Sequence, residues 1–289
     1  MERRTYEVFE AGVDWITVSA FAGNSAFRLE TRARRLLREQ VRCGEEEKPW
    51  AMSGYTGMMA GGVQFGMRGE DVLCRLTSET AFEHWTTVYA VADNCSRLDL
   101  QVTVRVAGEV QPTIHKHYKE AMVHSRSMKR GPKVSVFSSS DDATTLYLGD
   151  RTSDKFGRCY NKQKESKLDY YKSALRYEVE FKDDAANLVA KRLSAETDHA
   201  GAIAGLVHAF FSGRGCRLKW SAVATERLCR PRSRPSISRR LAWLGTNVRG
   251  TVVWLCERGL DHEVLSAIGM EAWSGEVRLK TKHTTPKGE

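Results

Sequence analysis

Polar and apolar residues alternate without a break from Arg97 to Arg105: Asp99, Gln101 and Thr103 fall between Leu98, Leu100, Val102 and Val104. A strand turns successive side chains to opposite sides, so this run predicts a strand with one face for a core and one face of oxygen-bearing side chains. The pattern returns as Arg158, Tyr160 and Lys162, and again as Arg176, Glu178 and Glu180. Strands of this kind confine the chain to folds in which a sheet lays one side on apolar material. Their other side gathers a phenol between two cations, near carboxylates, a grouping suited to phosphodiester chemistry. The plainer reading is a solvated antiparallel face with ordinary Arg–Glu cross-strand pairs.

The rest of the pattern predicts an α+β fold, an antiparallel or mixed sheet backed by helices. Val13 to Ser19, apolar and β-branched, reads as the first strand. Phe27 to Val41 carries Leu29, Leu36, Leu37 and Val41 at helical spacing. Its remaining face holds Arg28, Arg32, Arg34, Arg35, Arg38 and Arg42 against Glu30 and Glu39, so it lies along phosphates or is simply a solvated amphipathic helix. The Gly- and Met-rich stretch from Trp50 to Leu76 predicts hairpin strands with glycine bulges, and it lacks the Gly-Lys-Ser/Thr ending of a phosphate-cradling loop. Thr77 or Ser78 caps a helix whose buried stripe is Phe82, Trp85, Val88, Tyr89 and Val91. Val134 to Phe137 and Thr144 to Gly149 read as strands, and Asp183 to Leu193 and Ala202 to Phe211 as packing helices.

A net charge of +9 over 289 residues points to a polyanionic partner, nucleic acid first and an acidic membrane surface second. The charge concentrates in Gly213 to Arg240, where Arg214, Arg217, Lys219, Arg230, Arg232 and Arg234 face the single acid Glu226. That stretch reads as a DNA-backbone contact, the alternative being an inert basic linker. It divides the chain into a catalytic domain over 1–212 and a helical, basic DNA-binding extension over 213–289 that ends in a disordered tail. A helix-turn-helix over Leu241 to Gly269 has no clear recognition helix. No apolar run is long enough to span a bilayer, and the Met-Glu-Arg-Arg-Thr-Tyr start has no hydrophobic signal core, so a cytoplasmic protein is expected. The seven cysteines are scattered, without a Cys-x-x-Cys pair, and read as reduced thiols rather than a disulfide framework or zinc site.

Leu146-Tyr-Leu-Gly, Arg158-Cys-Tyr-Asn-Lys162 and Arg176-Tyr-Glu-Val-Glu180, in this order and spacing, resemble the core of the rolling-circle replication initiation factor family, the plasmid and phage Rep proteins and related conjugative relaxases. A weaker likeness runs from Val13-Asp-Trp-Ile-Thr-Val through Ser96-Arg-Leu-Asp-Leu to about Gly259. The resemblance implies metal-dependent nicking and joining of one DNA strand at an origin, single-stranded or extruded as a hairpin, with Tyr160 as nucleophile and a 5′-phosphotyrosine intermediate. Tyr147, Tyr170, Tyr171 and Tyr177 are competing phenols. Arg158, Lys162 and Arg176 would neutralise charge on the phosphate. The same chemistry would serve a conjugative relaxase. A second copy of the chain and a host helicase are candidate partners.

For the metal, two polar residues flanking an apolar one on a central strand are aimed by the pleat at one point. Asp99-Leu-Gln101 has that form, with Glu178 or Glu180 as a third oxygen donor for Mg²⁺ or Mn²⁺. The resemblance also places an acid at Asp99, while Thr103 stands where a second acid often lies. His115-Lys-His117 offers a two-histidine clamp only if it lies on a strand, and its flanks read instead as a polar loop or helix start. Lys116 to Lys133 reads as a basic, DNA-contacting loop. A tyrosine recombinase would need a His-x-x-Arg element followed by a tyrosine near the C-terminus, and the chain has neither. The reading from another class is a non-catalytic DNA-binding protein with Tyr160 merely packed.

Overall fold

The alternating run becomes β6 (Asn94–Arg105), at the middle of a ten-stranded sheet in a computed structural model that describes residues 6–138 and 143–220. β1 (Glu7–Ala20) and β10 (Ala174–Lys182) flank it. Outward from β1 lie β5 (Asp71–Thr77), β4 (Val63–Arg68), β3 (Tyr55–Ala60) and β2 (Lys48–Met52). Outward from β10 lie β9 (Lys155–Asn161), β8 (Thr144–Leu148) and β7 (Val134–Ser138). Each pairing is antiparallel, so the fold is α+β with an antiparallel sheet.

One face of the central strands is a core. Ile16, Leu98, Leu100, Val102, Val104, Leu175 and Val179 are fully buried there. They share a cluster with Leu29, Ala33 and Leu36 of α1 (Gly23–Arg42), Ala186 and Val189 of α5 (Asp183–Leu193), and Val207 and Phe211 of α6 (His199–Ser212). Each aliphatic side chain so buried contributes about 1.5–3 kcal/mol over exposure. Asp198 closes the start of α6, its Oδ1 accepting the amide hydrogen of Gly201 at 2.9 Å.

The structure departs from the sequence expectations at several points. α2 (Ser78–Tyr89) is capped in position by Thr77 without a side-chain hydrogen bond, and Phe82 is 43% exposed rather than part of the buried stripe. Its ring lies on Gly12 of β1, where an added Cβ would fall 2.1 Å from it. Strands β2 to β5 pair in continuous register, and the bulges occur instead between β1 and β6, at Phe9 and Asp14 on β1 and at Ser96 on β6. Lys116 to Arg126, expected as a loop, lies in α3 (Val110–Arg126). On a helix two residues apart means about 200° of rotation, so His115 faces solvent and His117 is buried. The His117 ring hydrogen-bonds the Tyr177 hydroxyl at 2.9 Å and Glu120 at 3.1 Å, a structural role that leaves no two-histidine clamp.

By its packing the chain divides into two units, Met1–Leu228 and Cys229–Glu289, and the described residues belong to the first. Arg230, Arg232 and Arg234, the helical patterns beyond Ser238 and the expected tail lie outside the described residues. Of the cysteines, Cys43, Cys74, Cys95, Cys159 and Cys216 are free thiols, and all but Cys43 are buried. Among the described residues no helix is long and apolar enough to cross a membrane.

Gly57 and Gly66 face each other across β3 and β4. A Cβ on Gly57 would sit 2.1 Å from the Phe65 carbonyl oxygen, and one on Gly66 2.8 Å from the Trp50 ring. Gly57→Ala is expected to cost about 1–3 kcal/mol, read as a lower urea midpoint at unchanged slope. An unchanged midpoint would contradict this packing.

Candidate active site on the polar face of the sheet

Directly paired residues of an antiparallel sheet share a face, so the register alone assembles the polar side. Glu10, Thr103, Arg176 and Tyr160 form one row across β1, β6, β10 and β9. Gly12, Gln101, Glu178 and Arg158 form the next, and Trp15, Asp99 and Glu180 a third. The same parity sends Cys159 to the core, where it is fully buried.

The Tyr160 hydroxyl donates to Glu178 Oε1 in a short hydrogen bond. Arg158 Nη2 lies 2.5 Å from Glu178 Oε2 and 3.9 Å from Asp99 Oδ2. Asp99 is clasped on both oxygens by Arg97, at 2.9 and 2.7 Å. Glu180 is shared by Arg97 at 3.4 Å and Lys182 at 3.0 Å. In the neighbouring row Arg176 pairs with Glu10 and donates from Nε to Thr103 Oγ1 at 2.9 Å. Thr103 in turn donates to Glu10 at 2.9 Å, and the Tyr171 hydroxyl to the same carboxylate at 3.3 Å. Beside these groups opens a cavity of about 430 Å³ lined by Glu10, Asp14, Phe82, Gln101, Tyr171 and Arg176.

Burial dominates the protonation equilibria. It pushes the Tyr160 phenol up, and the charge of Glu178 beside it pushes the same way. Burial raises the Glu178 carboxyl above its ordinary value against the pull of Arg158. It also lifts Asp99 to about 6 despite Arg97. Tyr160 is therefore held as a neutral phenol on a carboxylate that is a stronger base than an ordinary glutamate. Gln101 Oε1 is buried without a hydrogen-bond partner, while the buried Glu178 Oε2 is held by the Arg158 guanidinium. Among the described residues no three His, Cys, Asp or Glu side chains converge as a metal-ligand set.

The expected residues Tyr160, Arg158, Arg176, Asp99, Gln101, Glu178 and Glu180 thus share one surface. Lys162 does not extend the strand: β9 ends at Asn161, and Lys162 opens α4 (Lys162–Ser166), paired with Glu165 at 2.5 Å and 5.4 Å from the Tyr171 ring centre. Of the competing phenols, Tyr177 is fully buried, Tyr147 stacks on Phe156, and Tyr170 is 61% exposed. Only Tyr171 joins the site, through Glu10. The Arg214 guanidinium lies 3.5 Å from the centre of the Phe210 ring, and burial lowers its pKa to about 10, so it is a packing group. Arg217 and Lys219 are exposed.

Sequence reasoning missed Glu10, Asp14 and Arg97. The bulges in β1 break the two-residue period there, so Glu10 and Asp14 do not fall on a readable alternation. Arg97 lies in phase with Asp99 on β6, and that phase was its available signal.

The sheet is antiparallel, with a buried core on one face and a Tyr–Glu–Arg cluster on the other. Residues 94–226 match the family model described as replication initiation factor. Over this segment, which holds β6, β9 and β10, the chain is similar to that family, in line with the resemblance of its motifs. In fold, the chain is similar to the rolling circle replication initiator protein from Geobacillus stearothermophilus, with a TM-score of 0.52 and 20% identity, over 82% of this chain and 96% of that one. No curated protein matches it in sequence.

Proposed function

We propose that the protein initiates rolling-circle replication by nicking one strand of an origin through Tyr160 and later rejoining it. The observation that carries this reading is the Tyr160 hydroxyl resting on the Glu178 carboxylate, with Arg158 and Arg176 on the same face. Glu178 takes the phenolic proton as the tyrosine oxygen attacks phosphorus, the bond from phosphorus to the 3′-oxygen breaks, and that oxygen takes a proton from solvent to leave as a free 3′-hydroxyl. The product is a 5′-phosphotyrosine. Because the link conserves the energy of the phosphodiester, the reverse attack by a 3′-hydroxyl reseals the strand without a nucleotide cofactor. Arg158 and Arg176 oppose the charge that builds on the phosphate oxygens, and burial strengthens that effect. Asp99 and Glu180 hold Arg97, and Asp99 also lies 3.9 Å from Arg158, which Glu178 orients.

The donor chemistry fits a hard divalent cation such as Mg²⁺ or Mn²⁺. Gln101 has a buried oxygen lacking a hydrogen-bond partner, and Asp14 and Glu10 line the adjoining cavity. Asp99, Glu180 and Glu178 keep their oxygens on Arg97, Lys182 and Arg158, which leaves Gln101 and Asp14 as donors toward that cavity. A cation held there would polarise the phosphate.

Incubating the protein with Mg²⁺ and supercoiled DNA bearing its origin tests the reading. The expected product is an open circle with protein attached through a bond that survives detergent. Chelator is expected to reduce nicking to background, and added Mn²⁺ to restore it. Binding without any nick would leave a DNA-binding protein with a packed tyrosine. Origin DNA, Arg217 and Lys219 as backbone contacts, and a cytoplasmic location belong to the same proposal.

A further inference from the structure

The polar face continues well past Tyr160. Lys48, Met59, Gln64, Arg75, Thr17, Arg97 and Lys182 stand in one row from β2 to β10, polar but for Met59. Trp50 flanks that row on β2, and Trp15 flanks it on β1. The Arg75 guanidinium lies between the two indoles, 4.9 Å from the centre of Trp15 and 5.7 Å from that of Trp50. Arg97 covers Trp15 at 4.3 Å. Among the described residues no carboxylate pairs with Arg75; Gln64 accepts from it at 2.9 Å, and its Nε is buried without a partner. Trp15 spends its own N–H on Thr17 at 3.0 Å, and its ring serves as a platform for the two guanidiniums. Trp50 lies over the Gly57–Gly66 pair, where the sheet has no side chains to lift the ring away.

These groups connect to the proposed nucleophile by continuous contact: Tyr160 to Glu178, Glu178 to Arg158, Arg158 to Asp99, Asp99 to Arg97, then Trp15, Arg75 and Trp50. From β9 to β2 the sheet order counts seven interstrand steps. At strand spacing that is about 34 Å.

We propose that this face is a track for unpaired DNA, with Trp50 stacking on bases, Trp15 backing the guanidiniums, and Arg75 drawing in the backbone. An indole ring beside guanidinium groups is what a single strand recognises without sequence preference, because each base has a π-face and each linkage a charge. A duplex keeps its base faces stacked inside and cannot use the Trp50 indole. The inference rests on the nicking reading for its direction: a strand lying on the track leads from the edge of the sheet to Tyr160.

The test uses the full chain and fluorescence anisotropy with labelled oligothymidine and a matched duplex, neither carrying an origin. Trp50→Ala is expected to weaken oligothymidine binding roughly tenfold or more. Trp50→Phe keeps a ring and should bind within a few-fold of wild type, and duplex binding should not move. Arg75→Gln provides a second variant should Trp50→Ala fail to fold, with the same expected loss for the single strand. Trp50→Ala binding oligothymidine like wild type, or losing single strand and duplex alike, would overturn the track. A protein that binds oligothymidine through Trp50 yet never forms a covalent adduct with origin DNA keeps the track and removes the nicking.

Discussion

A Tyr160→Phe protein is expected to bind origin DNA like wild type and to lose nicking by about four orders of magnitude, or to background, together with all detergent-stable adduct. The substitution removes one oxygen. The ring keeps its place on β9 opposite Arg176, and Glu178 keeps its pairing with Arg158, so the fold and the cationic surface survive. What disappears is the atom that would attack phosphorus. Tyr171 is the one other phenol in the cluster, 3.3 Å from Glu10 and on the cavity wall. Its hydroxyl is tied to the acid that also engages Arg176, in the row next to Glu178. Adduct surviving in Tyr160→Phe and lost in Tyr171→Phe would move the nucleophile to that second phenol.

Glu178→Gln keeps the size of the side chain and its hydrogen bond to Tyr160 but removes the base, and a 10²- to 10⁴-fold loss in nicking rate is expected, about the contribution of general base catalysis. The pH profile separates this from mere disturbance. The active form is the carboxylate, so the rate falls as pH drops through the Glu178 pKa. Burial raises that pKa, so the acid limb of the wild type lies above the pH at which an ordinary glutamate titrates. The limb is expected to vanish in Glu178→Gln, while the residual rate follows Tyr160 alone. A wild-type rate in Glu178→Gln would assign the proton to another acceptor.

The central strands were legible because their alternation is strict. Asp99, Gln101 and Thr103 on β6, and Arg176, Glu178 and Glu180 on β10, needed only the two-residue period to be placed on one face, and direct pairing did the rest. Tyr160 followed from the same period on β9. Lys162 did not, because Asn161 ends the strand and turns the chain into α4, its side chain accepting from the Lys164 amide. Glu10 and Asp14 were hidden by bulges, which shift a strand's phase without any marker in composition. α3 was read as a basic loop because its buried positions, Val110, Ile114, His117 and Ala121, include a histidine that is apolar in effect only once Tyr177 and Glu120 satisfy it. The roles of Asp99 and Glu180 depend on Arg97, a contact that no spacing rule announces.

The most direct measurement is to trap the covalent complex on a short origin oligonucleotide, digest it with trypsin and nuclease, and locate the added nucleotide by mass spectrometry. Cleavage after Arg158 and Lys162 isolates Cys159-Tyr-Asn-Lys162, which contains a single phenol. The account predicts the nucleotide on that peptide, joined through its 5′-phosphate to Tyr160. A nucleotide on the peptide that carries Tyr171, or one on no tyrosine at all, would contradict it.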